Sequence, residues 1–328
     1  MNTFGRNFRI TTFGESHGAG VGVIIDGCPP RLELSTQDIQ PFLDRRRPGG
    51  SPLTSARQES DRVEILSGVF EGKTTGAPVA MLVRNEDEHP EDYTALRDVF
   101  RPGHADFTYQ EKFGIRDHRG GGRSSGRETL ARVAAGAVAM KVLGQAGIRI
   151  AGTILEVHGQ VSPEAIVQEI LAAKAAGDSV GGIVELVAQG CPAGFGDPVF
   201  GKLDAEIAGA MMGIGAVKGV EIGDGFAVAK KFGSGNNDPM TRDGFASNHA
   251  GGILGGISTG QEIVVRIAVK PTPSITKVQK TRDVHGNEVE ISIKGRHDPC
   301  IVPRIVPVAE AMLALVLLDC LLEQKKYR

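Results

Sequence analysis

The stretch VGVIIDGCP (residues 21–29) contains the pattern that decides the fold. A short apolar strand, 21–25, ends at glycine and proline and leads into a helix. That helix begins at Ser35, with Asp38 three residues later as in a capping box, and it ends before Pro48-Gly49-Gly50. Short strands and helices alternate in this way along the chain, so the sequence predicts an α+β protein.

Further elements follow on both sides of this stretch. Apolar or alternating segments predict strands at 8–11, 63–66, 79–83, 148–157, 182–187 and 263–269. Helical periodicity predicts helices at 125–143, 163–175, 203–212 and 308–322. No low-complexity linker divides these elements, and we predict a single domain that spans residues 1–328.

A faint internal repeat is visible among the strands. VIIDGCP at 23–29 resembles ELVAQGCP at 185–192, and a predicted helix follows each segment. A strand that ends at glycine and proline is a common turn solution. Chance is therefore the preferred explanation of the similarity, and an ancient duplication is the alternative.

The composition is that of an ordinary globular protein. The 328 residues are 41% hydrophobic and 23% charged, with a formal net charge of −2. An anion-binding surface must therefore come from local clusters of arginine and lysine, because the protein as a whole has no basic field. The longest apolar run, Ala311–Leu318, is too short to span a membrane and predicts a buried helix.

The N-terminus and the cysteines indicate the cellular compartment. The opening segment MNTFGRNFRI lacks the apolar core and cleavage site of a signal peptide. The four cysteines lie far apart, with no CxxC pair and no histidine at zinc-ligand spacing. We therefore expect a reduced cytoplasmic protein that binds no metal.

Two glycine-containing segments resemble nucleotide-binding motifs without matching them. GKT at 72–74 lacks the earlier glycine of a phosphate-binding loop, because position 67 is serine, and a strand is predicted after it where that loop requires a helix. GGILGG at 251–256 does not have the G-x-G-x-x-G spacing and also leads into a strand. Close backbone packing, or approach to a flat ligand, is the better interpretation of this second segment.

The segment RGGGRSSGRE (119–128) is the strongest indication of a site. Ser125 and Glu128 have capping-box spacing, which predicts a helix start. Arg123 and Arg127 beside a helix N-terminus are unfavourable unless an anion is bound there, and N–H groups, a hydroxyl and two guanidiniums suit phosphate or carboxylate. The alternative is that Arg127 pairs with a neighbouring carboxylate such as Glu128.

A second arginine cluster, 45–47, ends the first predicted helix. Cations at a helix C-terminus are favoured by the dipole alone, which is typical of a solvated face. The loop 48–52 is small and adaptable, however, with Arg57 and Arg62 close behind it. One or two of these arginines could therefore turn inward.

Histidines in glycine-containing loops are candidates for proton transfer. They are His17 in GESHG, His104 in RPGHAD and His297 in GRHDP. A lone histidine is more often structural, but a histidine held in such a loop beside arginine has a pKa near the operating pH and can transfer protons. Three other histidines have no comparable setting and are predicted to lie on the surface: His89, His158 and His285.

Several of these segments together resemble the signature blocks of the chorismate synthases. The blocks are FGESHG (13–18), LSGVFEGKTTG (66–76), RPGHAD (101–106), RGGGRSS (119–125), VKGVEIGDG (217–225), SNHAGGILGG (247–256) and KGRHDPC (294–300). They stand in the family's order and cover nearly the whole chain. This combination is specific, whereas a single block such as the triple glycine is not.

The resemblance implies a fold, a reaction and an assembly. The family fold is an α+β sandwich of antiparallel sheets and helices, usually assembled as a homotetramer. The family reaction is the 1,4-elimination of phosphate from 5-enolpyruvylshikimate 3-phosphate, a lyase step of the shikimate pathway that gives chorismate for aromatic amino acid biosynthesis. It requires reduced FMN without net redox change, because the reduced flavin can lend electron density to the departing phosphate and recover it afterwards.

The resemblance also implies roles for individual residues. By position, His104 would assist the leaving phosphate, His17 would govern protonation of the reduced flavin, and Asp298 would collect the ring proton. Substrate anions would be held by Arg47, Arg57 and Arg127. Flavin-site positions are matched by Arg123, Ser124, Ser125, Gly215, Ala216, Lys270, Ser274 and Arg296.

One departure from the family pattern concerns the flavin site. GIGA at 213–216 stands where relatives carry Ser-Ile-Asn-Ala, so an asparagine contact to the flavin is absent at Gly215. The chain also shows no nicotinamide-binding motif, and we expect its flavin to be reduced by an outside supply.

An arginine- and glycine-rich nucleic-acid-binding module is the alternative function. The net charge of −2 and the scarcity of aromatic residues for base stacking disfavour it. We therefore expect a small-molecule substrate, with no nucleic-acid and no membrane partner.

Overall fold

Two antiparallel sheets enclose two layers of helices in this protein. The structure is a computed structural model that describes residues 1–49, 53–54, 59–86, 93–94, 96–293 and 297–327. In the first half the elements are β1 (Thr3–Phe4), β2 (Arg9–Gly14), β3 (Gly20–Asp26), α1 (Thr36–Arg46), β4 (Val63–Ser67), β5 (Val69–Phe70), β6 (Lys73–Thr74), β7 (Val79–Arg84), α2 (Asp106–Phe113) and α3 (Thr129–Gln145).

The second half contains longer helices and several short hairpins. Its elements are β8 (Arg149–Val157), α4 (Pro163–Ala175), β9 (Gly182–Gln189), α5 (Leu203–Met212), β10 (Val217–Ile222), α6 (Gly233–Asn236), β11 (Met240–Thr241), β12 (Gly244–Phe245), β13 (Ile253–Leu254), β14 (Ile257–Ser258), β15 (Ile263–Val269), β16 (Gln279–Arg282), β17 (Glu288–Ile291) and α7 (Val302–Gln324). This mixture of helices and antiparallel sheets is the α+β fold that the sequence predicts.

The two large sheets repeat one topology. In the first, the strand order is β1-β2-β3-β7-β4, and in the second it is β8-β9-β15-β10. Leave out the edge strand β1 and number the strands of each large sheet in chain order. Both sheets then have the spatial order first, second, fourth, third, and all neighbouring strands are antiparallel. In both halves a helix, α1 or α5, links the second strand to the third. This common topology favours duplication over chance as the origin of the sequence repeat.

The repeated strand ends explain why glycine occurs in both copies. Gly27 and Gly190 follow β3 and β9 with φ angles of 84° and 77°, which favour glycine. A Cβ atom at Gly27 would lie 1.9 Å from the carbonyl oxygen of Asn7, and one at Gly190 would lie 2.3 Å from that of Gly147. The glycine therefore allows each strand end to pass close to the backbone that enters the preceding strand.

Helices α3 and α7 pack against each other in the centre, each between the other and one sheet. A Cβ atom at Gly136 would lie 2.3 Å from the Cβ of Ala311, so the two helices approach closely at this point. All of Ala311–Leu318 is buried, which confirms the predicted core helix. By length and composition α7 could cross a membrane, but 78% of its most apolar window is buried inside the protein. It is a core helix.

Several element predictions are confirmed, and others need adjustment. Helices α4 and α5 have their predicted bounds, and Ser35 and Asp38 form the capping box of α1. Helix α7 begins at Val302, six residues earlier than predicted, because a proline in the first turn needs no N–H partner. The connection after β4 contains the hairpin β5–β6, which the sequence prediction did not include.

Candidate active site

The triple-glycine loop brings two predicted histidines together. Gly120, Gly121 and Gly122 have φ angles of 60°, 87° and 51°. A Cβ atom at Gly120 would lie 2.2 Å from Nδ1 of His17, and one at Gly121 would lie 2.8 Å from Cε1 of His104. No side chain fits between the loop and either ring. The two histidines predicted to move protons therefore lie against the same loop.

His17 lies in the turn that follows β2 and is 5% exposed. Its Nδ1 is 3.2 Å from Oγ of Ser16, and its ring packs edge-on against Tyr93 at a centroid distance of 4.9 Å. The Asn85 amide holds this turn by donating to the carbonyl oxygens of Glu15 and Gly18, at 3.0 and 2.6 Å. The ring of His17 is therefore fixed in position and largely removed from water.

His104 lies directly before α2 and belongs to a charged network. Its Nδ1 is 2.9 Å from Oδ1 of Asp106. The Asp106 carboxylate also accepts hydrogen bonds from Nε and Nη2 of Arg101, at 2.7 and 2.8 Å. Burial lowers the pKa of His104, an effect that Asp106 opposes and Arg101 adds to. Burial alone would raise the pKa of Asp106, but hydrogen bonds from Arg101 and His104 hold it well below its usual range. Asp106 is therefore ionised at neutral pH.

His297 lies close enough to Arg101 and His104 for their charges to act on it. Burial, followed by the charge of Arg101, lowers the pKa of His297 to about 4. Its Nε2 is buried and has no hydrogen-bond partner within the described residues. His297 is thus a neutral imidazole at pH 7 with one nitrogen unused.

Asp298 is held at the start of α7. Its Oδ2 is 2.5 Å from Nη1 of Arg304, and Nε of Arg304 donates to the carbonyl oxygen of Arg46 at 2.9 Å. The ion pair fixes the buried carboxylate between the loop that contains His297 and the end of α1.

Lys270 connects the second sheet to the loop of His104. Its Nζ donates to the carbonyl oxygen of Gly103 at 2.6 Å, and its backbone N–H donates to that of Ala216 at 2.9 Å. Burial, with a smaller effect of Lys218, lowers the pKa of Lys270. Ser274, four residues later, is buried. The structure therefore brings the side chain of Lys270 to the loop that contains His104, with Ala216 beside the lysine backbone.

The departure at Gly215 leaves space. This residue is exposed, and a Cβ atom built on it meets no atom within 4 Å. A Cβ atom would therefore fit at position 215 without a clash.

Three predicted flavin-site residues of the glycine loop make contacts inside the protein. Arg123 donates to the carbonyl oxygen of Gly14 at 3.1 Å and to Oγ1 of Thr12 at 2.6 Å. Ser124 Oγ donates to the carbonyl oxygen of Gly121 at 2.7 Å. Ser125 Oγ accepts a hydrogen bond from the backbone N–H of Arg127 at 3.3 Å. Arg123 therefore fastens the loop to β2, whereas Ser124 and Ser125 form local hydrogen bonds.

The predicted capping box at Ser125 and Glu128 is wrong. Two 3₁₀ turns, Gly122–Ser124 and Gly126–Glu128, precede α3, which begins at Thr129. The Glu128 carboxylate accepts hydrogen bonds from Oγ1 of Thr12, at 2.8 Å, and from Nε of Arg132, at 2.9 Å. These two donors engage the carboxylate, so it does not turn back to the N–H of Ser125.

Arg127 does not form an anion site with Arg123 in this structure. It is 4% exposed, and its Nη1 is 2.9 Å from Oδ1 of Asp61. Its Nη2 is 3.4 Å from Oε2 of Glu59, and its Nε donates to Oδ1 of Asn85 at 2.5 Å. The alternative is therefore correct in kind, since Arg127 pairs with carboxylates, but the partners are Asp61 and Glu59 and not Glu128.

Arg46 shares the carboxylate of Asp61 and is the arginine of the 45–47 cluster that turns inward. Its Nη2 is 2.9 Å from Oδ2 of Asp61. Burial lowers the pKa of Arg46 to about 10, although Asp61 opposes the shift. Burial alone would raise the pKa of Asp61, but Arg46 and Arg127 lower it. Arg47, by contrast, is exposed, with Nη1 3.7 Å from Oδ1 of Asp44.

Some predicted residues lie outside the described part of the chain, and some important ones were not predicted. Arg57, His89 and Arg296 belong to the first group. Asp106 belongs to the second, although its place in RPGHAD, two residues after the histidine, was a usable signal. Asp61 and Asn85 gave no such signal, because their partners are distant in sequence.

Comparisons with known proteins show the family to which this chain is similar. The sequence model of the family described as chorismate synthase matches residues 8–322. A chorismate synthase of Syntrophus aciditrophicus is 55% identical over 347 residues, covering 99% of this chain and 98% of the relative. One of Syntrophobacter fumaroxidans is 56% identical over 341 residues, covering 98% and 97%.

A solved structure gives the same result. The protein titled "Crystal Structure of Chorismate Synthase" superposes with a TM-score of 0.78 at 34% identity, covering 98% of this chain and 93% of that one. Sequence and fold therefore agree over nearly the full length, and the chain belongs to the chorismate synthase family.

Proposed function

We propose that this protein catalyses the 1,4-elimination of phosphate from 5-enolpyruvylshikimate 3-phosphate, giving chorismate and inorganic phosphate. The observation that carries the proposal is the contact of His17 and His104 with one glycine loop, beside Lys270. An elimination that releases phosphate and a ring proton needs groups that give and take protons within one site. His17 and His104 are two such groups, and they lie against adjacent glycines of this loop.

The residues around the loop suit reduced FMN as the cofactor. Lys270 supplies a cation for the flavin phosphate, with the Ser274 hydroxyl four residues away in sequence. The open space at Gly215 lies next to Ala216, whose carbonyl oxygen accepts the backbone N–H of Lys270, and it leaves room for a flat ring near that lysine. We assign Arg123, Ser124, Ser125, Ala216 and Arg296 to the same cofactor site. When bound, reduced FMN would supply electron density that helps phosphate to leave and is recovered when the proton leaves.

The protein's own groups would handle the protons. His104, whose protonated form Asp106 favours against the larger opposing effect of burial, would donate a proton to the departing phosphate. His17, buried and fixed by its turn, would govern the protonation of the reduced flavin. Asp298 would accept the ring proton, and its pairing with Arg304 keeps the carboxylate in place for this role.

The substrate arginines have different settings. Arg47 is exposed at the end of α1, and its ion pair with Asp44 is exposed too, so we assign it to a carboxylate or phosphate of the substrate. Arg127 is occupied by Asp61 and Glu59, so we assign it first to holding the site together. Arg57 remains a proposed substrate residue on the resemblance alone.

The larger organisation belongs to the same proposal. Helices α3 and α7 pack against each other and against different sheets, so neither half is enclosed without the other. We therefore expect one catalytic domain over residues 1–328, acting as a cytoplasmic homotetramer whose flavin is reduced elsewhere.

Anaerobic turnover tests the proposed function. The purified protein is mixed with chemically reduced FMN and 5-enolpyruvylshikimate 3-phosphate, and chorismate and phosphate are measured together. We expect equal amounts of both products. If neither product forms while an authentic chorismate synthase works in the same mixture, the proposal is wrong. A rise in melting temperature with RNA, but not with reduced FMN, would favour the nucleic-acid alternative.

A further inference from the structure

The carboxylate of Asp106 lies directly behind His104 and is itself firmly held. Its side chain is 3% exposed. Besides the two bonds from the Arg101 side chain, Oδ2 accepts the backbone N–H of Arg101 at 3.1 Å. Nη1 of Arg116 lies 3.5 Å from Oδ1. Such a carboxylate cannot move away from the imidazole without leaving Arg101 unpaired in the interior.

The position of the His104 proton follows from these contacts. Nδ1 lies 2.9 Å from Oδ1 of Asp106 and 3.1 Å from Nη2 of Arg101. If Nδ1 carried a lone pair, that lone pair would face an ionised carboxylate oxygen at hydrogen-bond distance. Nη2 of Arg101 already donates to the same oxygen at 2.8 Å. The arrangement therefore favours a proton on Nδ1 that is donated to Asp106.

The other edge of the ring faces the glycine loop. A Cβ atom at Gly121 would lie 2.8 Å from Cε1 and 3.1 Å from Nε2 of His104. Within the described ranges, no hydrogen bond to this Nε2 is formed. The nitrogen that is not used for positioning is thus the one beside the loop.

We infer that Asp106, itself held by Arg101, is the positioning residue for His104. It keeps Nδ1 protonated and directs Nε2 to the glycine loop, so that protons enter and leave the imidazole at Nε2 alone. In the proposed reaction, the Nε2–H bond breaks and a phosphate O–H bond forms, while the Nδ1 proton stays with Asp106. This role rests on the proposed function, but the state of the ring can be measured without turnover.

The charges around His104 give the direction of the pH effect. Asp106 favours the imidazolium form, whereas Arg101 and Lys270 disfavour it, and His297 lies nearby as a neutral ring. Replacing Asp106 by asparagine removes the favourable charge and leaves the two unfavourable ones. The pKa of His104 should therefore fall. Activity that needs protonated His104 should be lost at lower pH than in the wild type.

Nitrogen NMR of the wild-type protein without ligands is the first test, because it measures the state of the ring in the unaltered site and without turnover. The His104 signals are assigned by their loss in His104→Gln. At a pH where the ring is neutral, we expect Nδ1 to be protonated and Nε2 to be unprotonated. The opposite tautomer, or a mixture of both, would overturn the inference whether or not the protein makes chorismate.

The second test is Asp106→Asn with Asp98→Asn as a matched control. Asp98 is an exposed carboxylate eight residues earlier; its charge acts on Arg116, but within the described residues it forms no hydrogen bond with His104. We expect kcat of Asp106→Asn to fall roughly 10²–10⁴-fold with little change in KM, as for other orienting carboxylates. The acidic shift of the pH profile should accompany this loss. Normal kcat in Asp106→Asn, or an equal loss in Asp98→Asn, would overturn the inference. An inactive wild type with the expected tautomer would instead contradict the proposed function alone.

Discussion

Arg127 is held between two buried carboxylates, and its removal would leave them without part of their counter-charge. Asp61 and Glu59 are both fully buried as side chains. We expect Arg127→Ala to lower the free energy of unfolding by roughly 3–5 kcal/mol, because a broken buried pair leaves an uncompensated charge. Chemical denaturation measures this. Arg47→Ala removes an exposed guanidinium and should change stability by less than about 0.5 kcal/mol. Equal effects in the two variants would contradict the buried pairing.

The two histidines at the glycine loop should matter for turnover more than for stability. We expect His104→Ala and His17→Ala each to lower kcat roughly 10²–10⁴-fold, the usual contribution of a positioned acid or base. Steady-state kinetics with reduced FMN give this value. His158→Ala is the control, because that side chain is 67% exposed and pairs with Glu169 on the surface. Near-normal kcat in His104→Ala or His17→Ala would make that histidine a structural residue.

At the scale of elements, the close contact of α3 with α7 depends on one glycine. Alanine normally favours a helix over glycine by about 1 kcal/mol. At Gly136, however, the added Cβ would lie 2.3 Å from Cβ of Ala311, so we expect Gly136→Ala to destabilise the protein by roughly 1–3 kcal/mol. Gly144 lies in the same helix with nothing within 4 Å of an added Cβ. Gly144→Ala should leave stability unchanged or raise it. Thermal melts of both variants decide, and a stabilised Gly136→Ala would mean that the helices are farther apart.

Elements were predictable where a local signal fixed their ends. Ser162 and Pro163 mark the start of α4, and both its bounds were predicted correctly. The start of α3 was missed, because Thr12 and Arg132 engage the Glu128 carboxylate that the capping box would need. Distant contacts of this kind leave no trace in local spacing. The predicted start of α3 therefore lay four residues too early.

At the scale of the whole molecule, His297 should make stability sensitive to mild acid. Its pKa is lowered from 6.5 to about 4 in the folded protein. Below pH 6.5 the unfolded chain binds a proton that the folded chain does not bind, so the free energy of unfolding should fall until about pH 4. We expect His297→Gln to reduce this slope. His158→Gln, on the surface, should leave it unchanged. The same slope in wild type and His297→Gln would show that other groups cause the acid sensitivity.

The motif blocks indicated which residues would meet, but not how they would be held. His17 and His104 were each predicted as catalytic residues, and both lie against the glycine loop. The pairing of Arg127 with Asp61 was not predicted, because the two residues are 66 positions apart in sequence and meet only in the folded chain. Sequence blocks indicate the chemistry of a site, whereas the charge balance around it comes from tertiary packing.

The central claim is that the glycine loop positions His104 for phosphate elimination. The most direct measurement is anaerobic turnover of 5-enolpyruvylshikimate 3-phosphate with reduced FMN by wild type and by Gly121→Ala. The added Cβ would lie 2.8 Å from Cε1 of His104 and would displace the ring. We predict that the wild type forms chorismate and that Gly121→Ala is slower by roughly 10²-fold, as expected for a misplaced catalytic group. No chorismate from the wild type, or equal rates in both proteins, would contradict the claim.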